Sequence, residues 1–307
     1  MRADRAARAP VDPWRPLGWL AEEERTPEGR VVPTRTVFLA GAECPFSCVF
    51  CDLWRYTIVG ATPPGALTRQ LELALIEMGP VEPGTTSIKL YNASNFFEPR
   101  AVPEGEEGRL LPLLSPFFRV VVENHPRLAS QRCLAFAEAL DGRLEVAMGL
   151  ETVHPEALPR LGKSMHLADF DAACRRLRGA GVSLRAFVLV GAPFVPAAET
   201  VDWAVRSAEH AFAQGVGTVT LIPVRGGGSH LARLEAEGRF TPPRLGQLEE
   251  ALERCLALGG GVAQADLWDL ERFAVCAACS PARRERLHRQ NLSGQVEPAV
   301  TCEACAG

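Results

Sequence analysis

The sequence has 307 residues, of which 47% are hydrophobic and 23% charged, and its formal net charge is -4. This composition is that of an ordinary globular protein, and it argues against an intrinsically disordered chain and against a purely electrostatic nucleic-acid binder. No apolar run approaches the about 20 residues of a membrane-spanning helix, and no secretory signal is visible. We therefore expect a cytoplasmic protein with no membrane contact.

The first predicted elements lead into a cysteine-rich loop. Residues 1–33 mix arginine, proline and glutamate, and we expect an N-terminal extension that docks on the body of the protein. Residues 35–40 are β-branched and aromatic and predict a first strand. Leucines at helical spacing before Gly79 and Pro80 predict a helix over 65–78, and a second strand is predicted over 86–91.

Strand-like and helix-like stretches then alternate along the chain. Strands are predicted over 117–122, 144–149, 182–190 and 217–222, and helices over 130–140, 168–178, 199–213 and 245–258. This alternation predicts an α/β protein with a parallel sheet. Six strands predict a partial (β/α)6 TIM-like barrel over 34–273 whose active groups lie at the carboxyl ends of the strands. The segment 262–273 is a candidate for one more strand.

Three cysteines, Cys44, Cys48 and Cys51, lie in the loop after the first predicted strand, and Phe50 immediately precedes the last of them. Thiolates gathered this closely bind an iron–sulfur cluster or a zinc ion. A structural zinc ion would need a fourth protein ligand, and the nearest candidate, Asp52, is adjacent to Cys51 and poorly placed. Three ligands leave one coordination position open, as a reactive cluster requires.

This C-x-x-x-C-x-aromatic-C loop after a first strand resembles that of the radical SAM superfamily. In that superfamily the three thiolates hold three irons of a 4Fe–4S cluster, and S-adenosylmethionine (SAM) binds the fourth. The resemblance implies an enzyme in which the reduced cluster cleaves SAM to a 5′-deoxyadenosyl radical. It also implies a low-potential electron donor of the flavodoxin or ferredoxin type.

The same resemblance implies that groups near the strand ends contact SAM. The candidate cofactor-binding residues are Phe50, Asn92, Ser94, Glu123, Glu151, Lys163, Arg185 and Pro223. Many members of the superfamily carry Gly-Gly-Glu after the second strand. This sequence lacks those glycines, so Asn92 and Ser94 are assigned by their position after the second strand and not by a matching motif. Glu123 and Glu151 could equally be exposed loop acids, and Arg185 could form a structural ion pair.

The segments 91–100, 121–126, 147–152 and 186–194 resemble the branch containing the Elongator catalytic subunit and the radical SAM subunit of archaeosine synthase. Members of this branch modify tRNA, so the resemblance implies tRNA as a partner, modification of a tRNA base, and a partner enzyme subunit. Two alternatives stay open. One is a radical SAM enzyme acting on a small molecule or peptide, and the other is a non-catalytic RNA-binding protein with zinc at both cysteine sites.

Two C-x-x-C pairs near the C-terminus are separated by 22 residues and predict a zinc-ribbon-like module over 274–307. Its ligands would be Cys276, Cys279, Cys302 and Cys305, with zinc or an auxiliary 4Fe–4S cluster as the metal. Four arginines lie between the pairs, at positions 283, 284, 286 and 289, and they could contact RNA phosphates or form a solvated helix face. Cys133, Cys174 and Cys255 lie in predicted apolar helix faces and are expected in the core.

Overall fold

One eight-stranded sheet organises the computed structural model, which describes residues 8–226 and 229–305. The strands follow one another across the sheet in chain order and curl into a half-barrel. They are β1 (Gly18–Arg25), β2 (Val31–Leu39), β3 (Ser87–Asn92), β4 (Arg119–Glu123), β5 (Arg143–Glu151), β6 (Ser183–Val190), β7 (Thr218–Pro223) and β8 (Val262–Ala265). β1 runs antiparallel to β2, and each later neighbouring pair is parallel.

Helices connect the strands and cover the outer face of the sheet. They are α1 (Ala66–Met78), α2 (Glu106–Leu114), α3 (Gln131–Ala139), α4 (Ala157–Arg160), α5 (Leu167–Gly179), α6 (Thr200–Ala213), α7 (Ser229–Ala236), α8 (Leu245–Leu258) and α9 (Ser280–Ser293). Short 3₁₀ turns occur at Leu53–Tyr56, Pro126–Leu128, Ala197–Glu199 and Leu270–Phe273. Within the described residues, no helix combines the length and apolarity needed to cross a membrane.

The main hydrophobic core lies between the outer face of the sheet and the helices. Alternate strand residues such as Leu90, Val122 and Val188 are fully buried there, because successive side chains of a strand point to opposite faces. Cys133, Cys174 and Cys255 are buried in this layer, as predicted. The six predicted strands are confirmed as β2 to β7, and β8 is the additional strand expected within 262–273.

The inner face of the half-barrel is charged at its base. The Glu24 carboxylate on β1 contacts Lys89 on β3, accepts from Arg119 Nη2 on β4 at 2.7 Å, and accepts from Arg185 Nη2 on β6 at 2.6 Å. Glu145 on β5 completes the network, with Oε1 2.7 Å from Arg185 Nε. Burial alone would raise the pKa of Glu24, but the three cations outweigh it and hold that pKa well below its usual range. The base is therefore a buried ionic layer.

β1 lies inside the segment that the sequence indicated as a docking extension. Its sequence, GWLAEEER, is rich in acids and looks like a solvated surface, but Glu24 is only 4% exposed because it neutralises the base of the barrel. The boundary at residue 33 stays a prediction, as does the one at 274.

α9 covers the open side of the half-barrel, where it contacts both β1 and β8. The side-chain amide of Asn291 on α9 makes two hydrogen bonds to the backbone of Ala265. Its Oδ1 accepts from the Ala265 N–H at 2.8 Å, and its Nδ2 donates to the Ala265 carbonyl at 2.8 Å. This side chain thereby takes the place of a neighbouring strand at the free edge of β8.

Candidate functional site

The three-cysteine loop follows β2 at the carboxyl end of the parallel strands. The first residue of the loop is Ala40, and the side-chain amide of Gln70 on α1 binds both of its backbone groups. Gln70 Oε1 accepts from the Ala40 N–H at 2.7 Å, and Gln70 Nε2 donates to the Ala40 carbonyl at 2.9 Å. Farther along, the Val49 N–H donates to the Leu161 carbonyl at 2.9 Å. The loop is thus tied to two other parts of the barrel.

The three thiols of the loop are each partly buried. Burial raises the pKa of Cys44, and it raises the pKa of Cys48 and of Cys51 to about 12. Asn95 Nδ2 donates to Cys44 Sγ at 3.3 Å, and the Lys163 ammonium opposes the effect of burial at Cys44 and Cys48. A cationic metal centre would stabilise all three groups as thiolates.

A buried ion pair lies beside this loop. Lys163 Nζ donates to Glu151 Oε1 at 2.7 Å, and the two residues are 7% and 5% exposed. Glu151 has a positive φ of 68° at a bulge in β5, a strained conformation for a residue other than glycine. A Cβ at Gly149 would overlap both charged groups, so this glycine makes room for the pair.

Glu123 ends β4 and faces the same space. Burial raises the pKa of Glu123 to about 8, even though the Lys163 charge lowers it. Its carboxyl group forms no hydrogen bond or ion pair among the residues that the structure describes.

Two further predicted residues carry unsatisfied polar atoms. Both side-chain amide atoms of Asn92 and the hydroxyl of Ser94 are buried and have no hydrogen-bond partner within the described part of the chain. Buried polar groups are almost always hydrogen-bonded, and each unsatisfied group costs about 1–3 kcal/mol. These atoms therefore fit a ligand that donates and accepts hydrogen bonds.

His125 and Phe46 belong to the site but were not predicted. The Phe46 ring in the cysteine loop stacks on the His125 ring with 3.8 Å between centroids. Burial lowers the pKa of His125 to about 3, so the ring is neutral. Its Nδ1 accepts from the Arg127 N–H at 3.1 Å, so Nε2 carries the proton and donates to the Lys163 carbonyl at 3.0 Å. His125 thus joins the cysteine loop to the Lys163 loop.

The remaining predicted cofactor residues differ in position. Phe50 is partly buried against the hydrophobic core, and Pro223 is the buried last residue of β7. Arg185 lies near the start of β6, where Glu24 and Glu145 bind its guanidinium. Its contacts are those of the structural ion pair, which was the alternative, and they do not support the predicted contact with SAM.

The four C-terminal cysteines come together around α9. Their Sγ atoms all lie within 4.8 Å of one another, with 4.0 Å between Cys276 and Cys302 and 3.8 Å between Cys279 and Cys305. This is the one group of three or more such ligands, close enough for a single ion, that the described residues contain. The predicted four-cysteine metal-binding group is therefore present.

Most arginines of α9 already have acidic partners. Arg283 binds Glu249 on α8 with 3.1 Å from Nε to Oε1, and Arg286 binds Glu253 with 2.6 Å from Nη2 to Oε1. Arg289 Nη2 lies 2.8 Å from an oxygen of Glu297. Three of the four cations are thus neutralised within the module, which argues against the predicted contact of the whole group with RNA phosphates.

Comparison with known proteins shows the fold. The sequence matches no protein-family model, and no curated protein matches it. Among solved structures, the archaeal Elp3 of Methanocaldococcus infernus, with an N-terminal deletion, has a TM-score of 0.55 and 14% identity, over 84% of this chain and 63% of that chain. This chain thus spans less than two thirds of the Elp3 structure.

This chain covers a larger share of two other solved structures. A radical SAM methyltransferase from Sphaerobacter thermophilus has a TM-score of 0.54 and 16% identity, over 86% of this chain and 80% of that one. Methylornithine synthase, PylB, has a TM-score of 0.56 and 12% identity, over 84% and 69%. The Sphaerobacter structure is that of a radical SAM enzyme, and the likeness shows that this chain has a radical SAM-like fold, as the cysteine loop predicted.

Proposed function

We propose that this protein is a radical SAM enzyme that modifies a base of tRNA. The observation that carries the proposal is the position of the three-cysteine loop. It lies at the carboxyl end of a parallel half-barrel, where Asn95 donates to Cys44, and buried polar atoms of Asn92 and Ser94 in the same segment have no partner among the described residues. Cys44, Cys48 and Cys51 would hold a 4Fe–4S cluster, which, when bound and reduced, supplies the electron that cleaves SAM.

The surrounding side chains suit a zwitterionic ligand. Asn92 offers two donor hydrogens and an acceptor oxygen, and Ser94 offers a hydroxyl. The Lys163–Glu151 pair supplies one charge of each sign beside Cys48, and Glu123 adds a carboxyl without a partner among the described residues. His125 positions Lys163 through its backbone carbonyl. These residues would bind and orient SAM, and the three thiols of the loop are only partly exposed to water.

The experiment is anaerobic reconstitution with iron and sulfide, followed by reduction and addition of SAM. We expect the visible absorbance of a cluster and release of 5′-deoxyadenosine. Cys48→Ala should lose both signals, whereas Cys133→Ala, the same change at a buried core cysteine, should keep both. Wild-type protein that forms neither the cluster nor 5′-deoxyadenosine would contradict the proposal and favour the non-catalytic alternative with zinc at both cysteine sites.

The likeness of the fold to Elp3 and the sequence segments shared with that branch support tRNA as the substrate. Bulk tRNA incubated with the reconstituted enzyme, SAM and reduced flavodoxin or ferredoxin should yield a nucleoside of altered mass after digestion. If 5′-deoxyadenosine forms and no nucleoside changes mass, a small molecule or peptide is the better substrate. An added partner subunit that is required for the change would show that the enzyme acts in a complex.

We also propose that the four-cysteine group binds one zinc ion. Zinc–sulfur bonds of about 2.3 Å in a tetrahedron place the sulfurs about 3.8 Å apart. Two of the sulfur pairs here are 4.0 and 3.8 Å apart, and every pair lies within 4.8 Å. A four-iron cluster fills the space between its ligands and spreads them farther. Metal analysis should give one zinc per chain, lost in a Cys276→Ala, Cys279→Ala variant.

Both thiol sites need reduced cysteines, which supports a cytoplasmic location.

A further inference from the structure

Three aromatic rings meet inside the half-barrel, above its ionic base. Phe38 on β2 and Tyr91 on β3 are direct neighbours in the parallel register, with 6.5 Å between ring centroids. Phe187 on β6 meets Tyr91 edge to face at 6.3 Å. Because β4 and β5 separate β3 from β6, this last contact crosses the barrel interior. The inward position on β5 carries the small Ala147, in register with Glu123 on β4 and Arg185 on β6, and this leaves the rings room to approach.

The rings mark the depth at which the interior stops being accessible. Below them, Lys89, Arg119, Glu145 and Arg185 are each at most 6% exposed. Phe38, Tyr91 and Phe187 are partly exposed, although the residues next to them on the same strands, such as Val37, Leu90 and Ala186, are fully buried. The aromatic layer is therefore the floor of the accessible space.

Polar groups accompany this floor. The register places Phe187 beside Thr220 on β7, and Thr220 beside Gln264 on β8. Gln264 Nε2 donates to Thr220 Oγ1 at 2.9 Å, which orients the amide and leaves its Oε1 as an acceptor. Neither this oxygen nor the Tyr91 hydroxyl has a hydrogen-bond partner among the residues that the structure describes. The Gln264 oxygen can accept from a bound molecule, and the Tyr91 hydroxyl, which also interacts electrostatically with Arg185, Lys89 and Glu123, can donate to one.

We infer that Phe38, Tyr91 and Phe187 form the floor of the substrate chamber and that they bind a flat heteroaromatic ring with a polar edge, the chemical class of a nucleobase. Aromatic side chains stack on bases with about 1–3 kcal/mol per base. The Tyr91 hydroxyl and the Gln264 oxygen would bind the polar edge, since a buried polar group of a ligand needs a partner. This inference rests on the proposed function, because it names the part of the substrate that enters the chamber.

A purely structural role for the rings predicts something different. If they only shielded the ionic base from water, an equally apolar side chain would replace Phe187 without any effect on ligands. Phe187→Leu keeps the apolar cover and removes the flat surface. Phe136→Leu is its matched control, because Phe136 is buried in the outer core against Phe96 and Phe97.

The experiment is equilibrium dialysis of the reconstituted, SAM-loaded protein with each of the four ribonucleosides at up to millimolar concentration, and with ribose. We expect wild-type protein and Phe136→Leu to bind at least one nucleoside saturably and more tightly than ribose. Phe187→Leu should bind it about tenfold more weakly, and Tyr91→Phe several-fold more weakly, with unchanged cluster absorbance and SAM affinity.

Two results would overturn the inference: no nucleoside binds wild-type protein better than ribose, or Phe187→Leu binds as tightly as wild type. Release of 5′-deoxyadenosine is measured separately on the same preparations. The proposed function fails if wild-type protein releases none, whereas the chamber inference fails on binding alone, so the two failures are distinguishable.

Discussion

The protein carries two sets of thiols in different surroundings. The loop set, Cys44, Cys48 and Cys51, does not form a compact single-ion group in the described structure, and unsatisfied buried atoms of Asn92 and Ser94 lie at the same end of the barrel. The module set has four sulfurs within 4.8 Å of one another. Its arginines are mostly neutralised by acids, although the buried Gln290 amide has no partner in the described residues.

The difference separates a site that needs a ligand from a site that closes on itself. Three thiolates with an open position and nearby unpaired groups are complete only when another molecule binds. Four thiolates in a tetrahedron saturate one ion and leave no room for a substrate. The first arrangement suits chemistry, and the second suits attachment of α9 to the barrel.

The largest expected effect is the loss of one metal without the other. Cys48→Ala should remove nearly all the iron and leave zinc unchanged, whereas Cys279→Ala should remove zinc and leave iron, because each ion depends on its own thiolates. Metal analysis of anaerobically prepared protein measures both at once. Parallel loss of both metals in either variant would mean that the two sets are not independent sites.

A smaller effect concerns the ion pairs near each set. Lys163→Met should reduce the free energy of unfolding by about 3–5 kcal/mol, because it leaves the Glu151 carboxylate buried without its partner. Arg283→Met should reduce the free energy of unfolding by less, since Arg286 Nη1 still lies 3.7 Å from Glu249 Oε1. Urea unfolding of SAM-free protein measures both. The Lys163→Met, Glu151→Leu double variant should recover much of the loss; if it is as unstable as the single variant, the pair is not what stabilises this region.

The unsatisfied amide of Asn92 leads to an effect in the opposite direction. Asn92→Leu should raise the free energy of unfolding of SAM-free protein by about 1–2 kcal/mol, because it removes buried polar atoms that have no partner among the described residues. The same change should weaken SAM binding about tenfold in a dialysis experiment. A variant that is less stable and binds SAM normally would show that water or protein already satisfies Asn92.

The smallest expected effect tests the module as an RNA-binding surface. Arg284→Gln removes the α9 arginine for which the described structure records no ion pair, and it should leave tRNA affinity within about twofold. Arg55→Gln, on the exposed 3₁₀ turn after Cys51, should lower the slope of log affinity against log salt by about one. Filter binding at several salt concentrations measures both. The reverse ranking would assign RNA contact to the module.

The local sequence pattern was sufficient to predict most strands and helices of the barrel. Strand and helix periodicities predicted β2 to β7 and the connecting helices to within a few residues, because buried parallel strands are short apolar runs between helices. The helices α2, α4 and α7 were not predicted; in α2, Pro112 interrupts the pattern. β1 was not predicted because its one buried acid, Glu24, is paired with cations on strands that are far away in sequence.

The same limit applies to the site. Cysteine spacing identified both thiol sets, since each is local in sequence. The role of Arg185 depends on Glu24, which is 161 residues away, and the arginines of α9 depend on α8, so residue types alone could not separate ion pairs from ligand contacts. Buried polar atoms without a hydrogen-bond partner, such as those of Asn92, can be recognised only when the positions of the neighbouring residues in the folded structure are known.

The two hydrogen bonds from Asn291 to Ala265 also bear on how the protein behaves in a crowded cell. A free strand edge is a template for pairing with another chain, and α9 withholds this edge of β8 from such pairing. In the proposed zinc site the ion would join the two ends of α9, in addition to the ion pairs of this helix with Glu249 and Glu253. Zinc starvation is therefore expected to cause self-association through β8, so that trace-metal supply during expression governs solubility before it affects turnover.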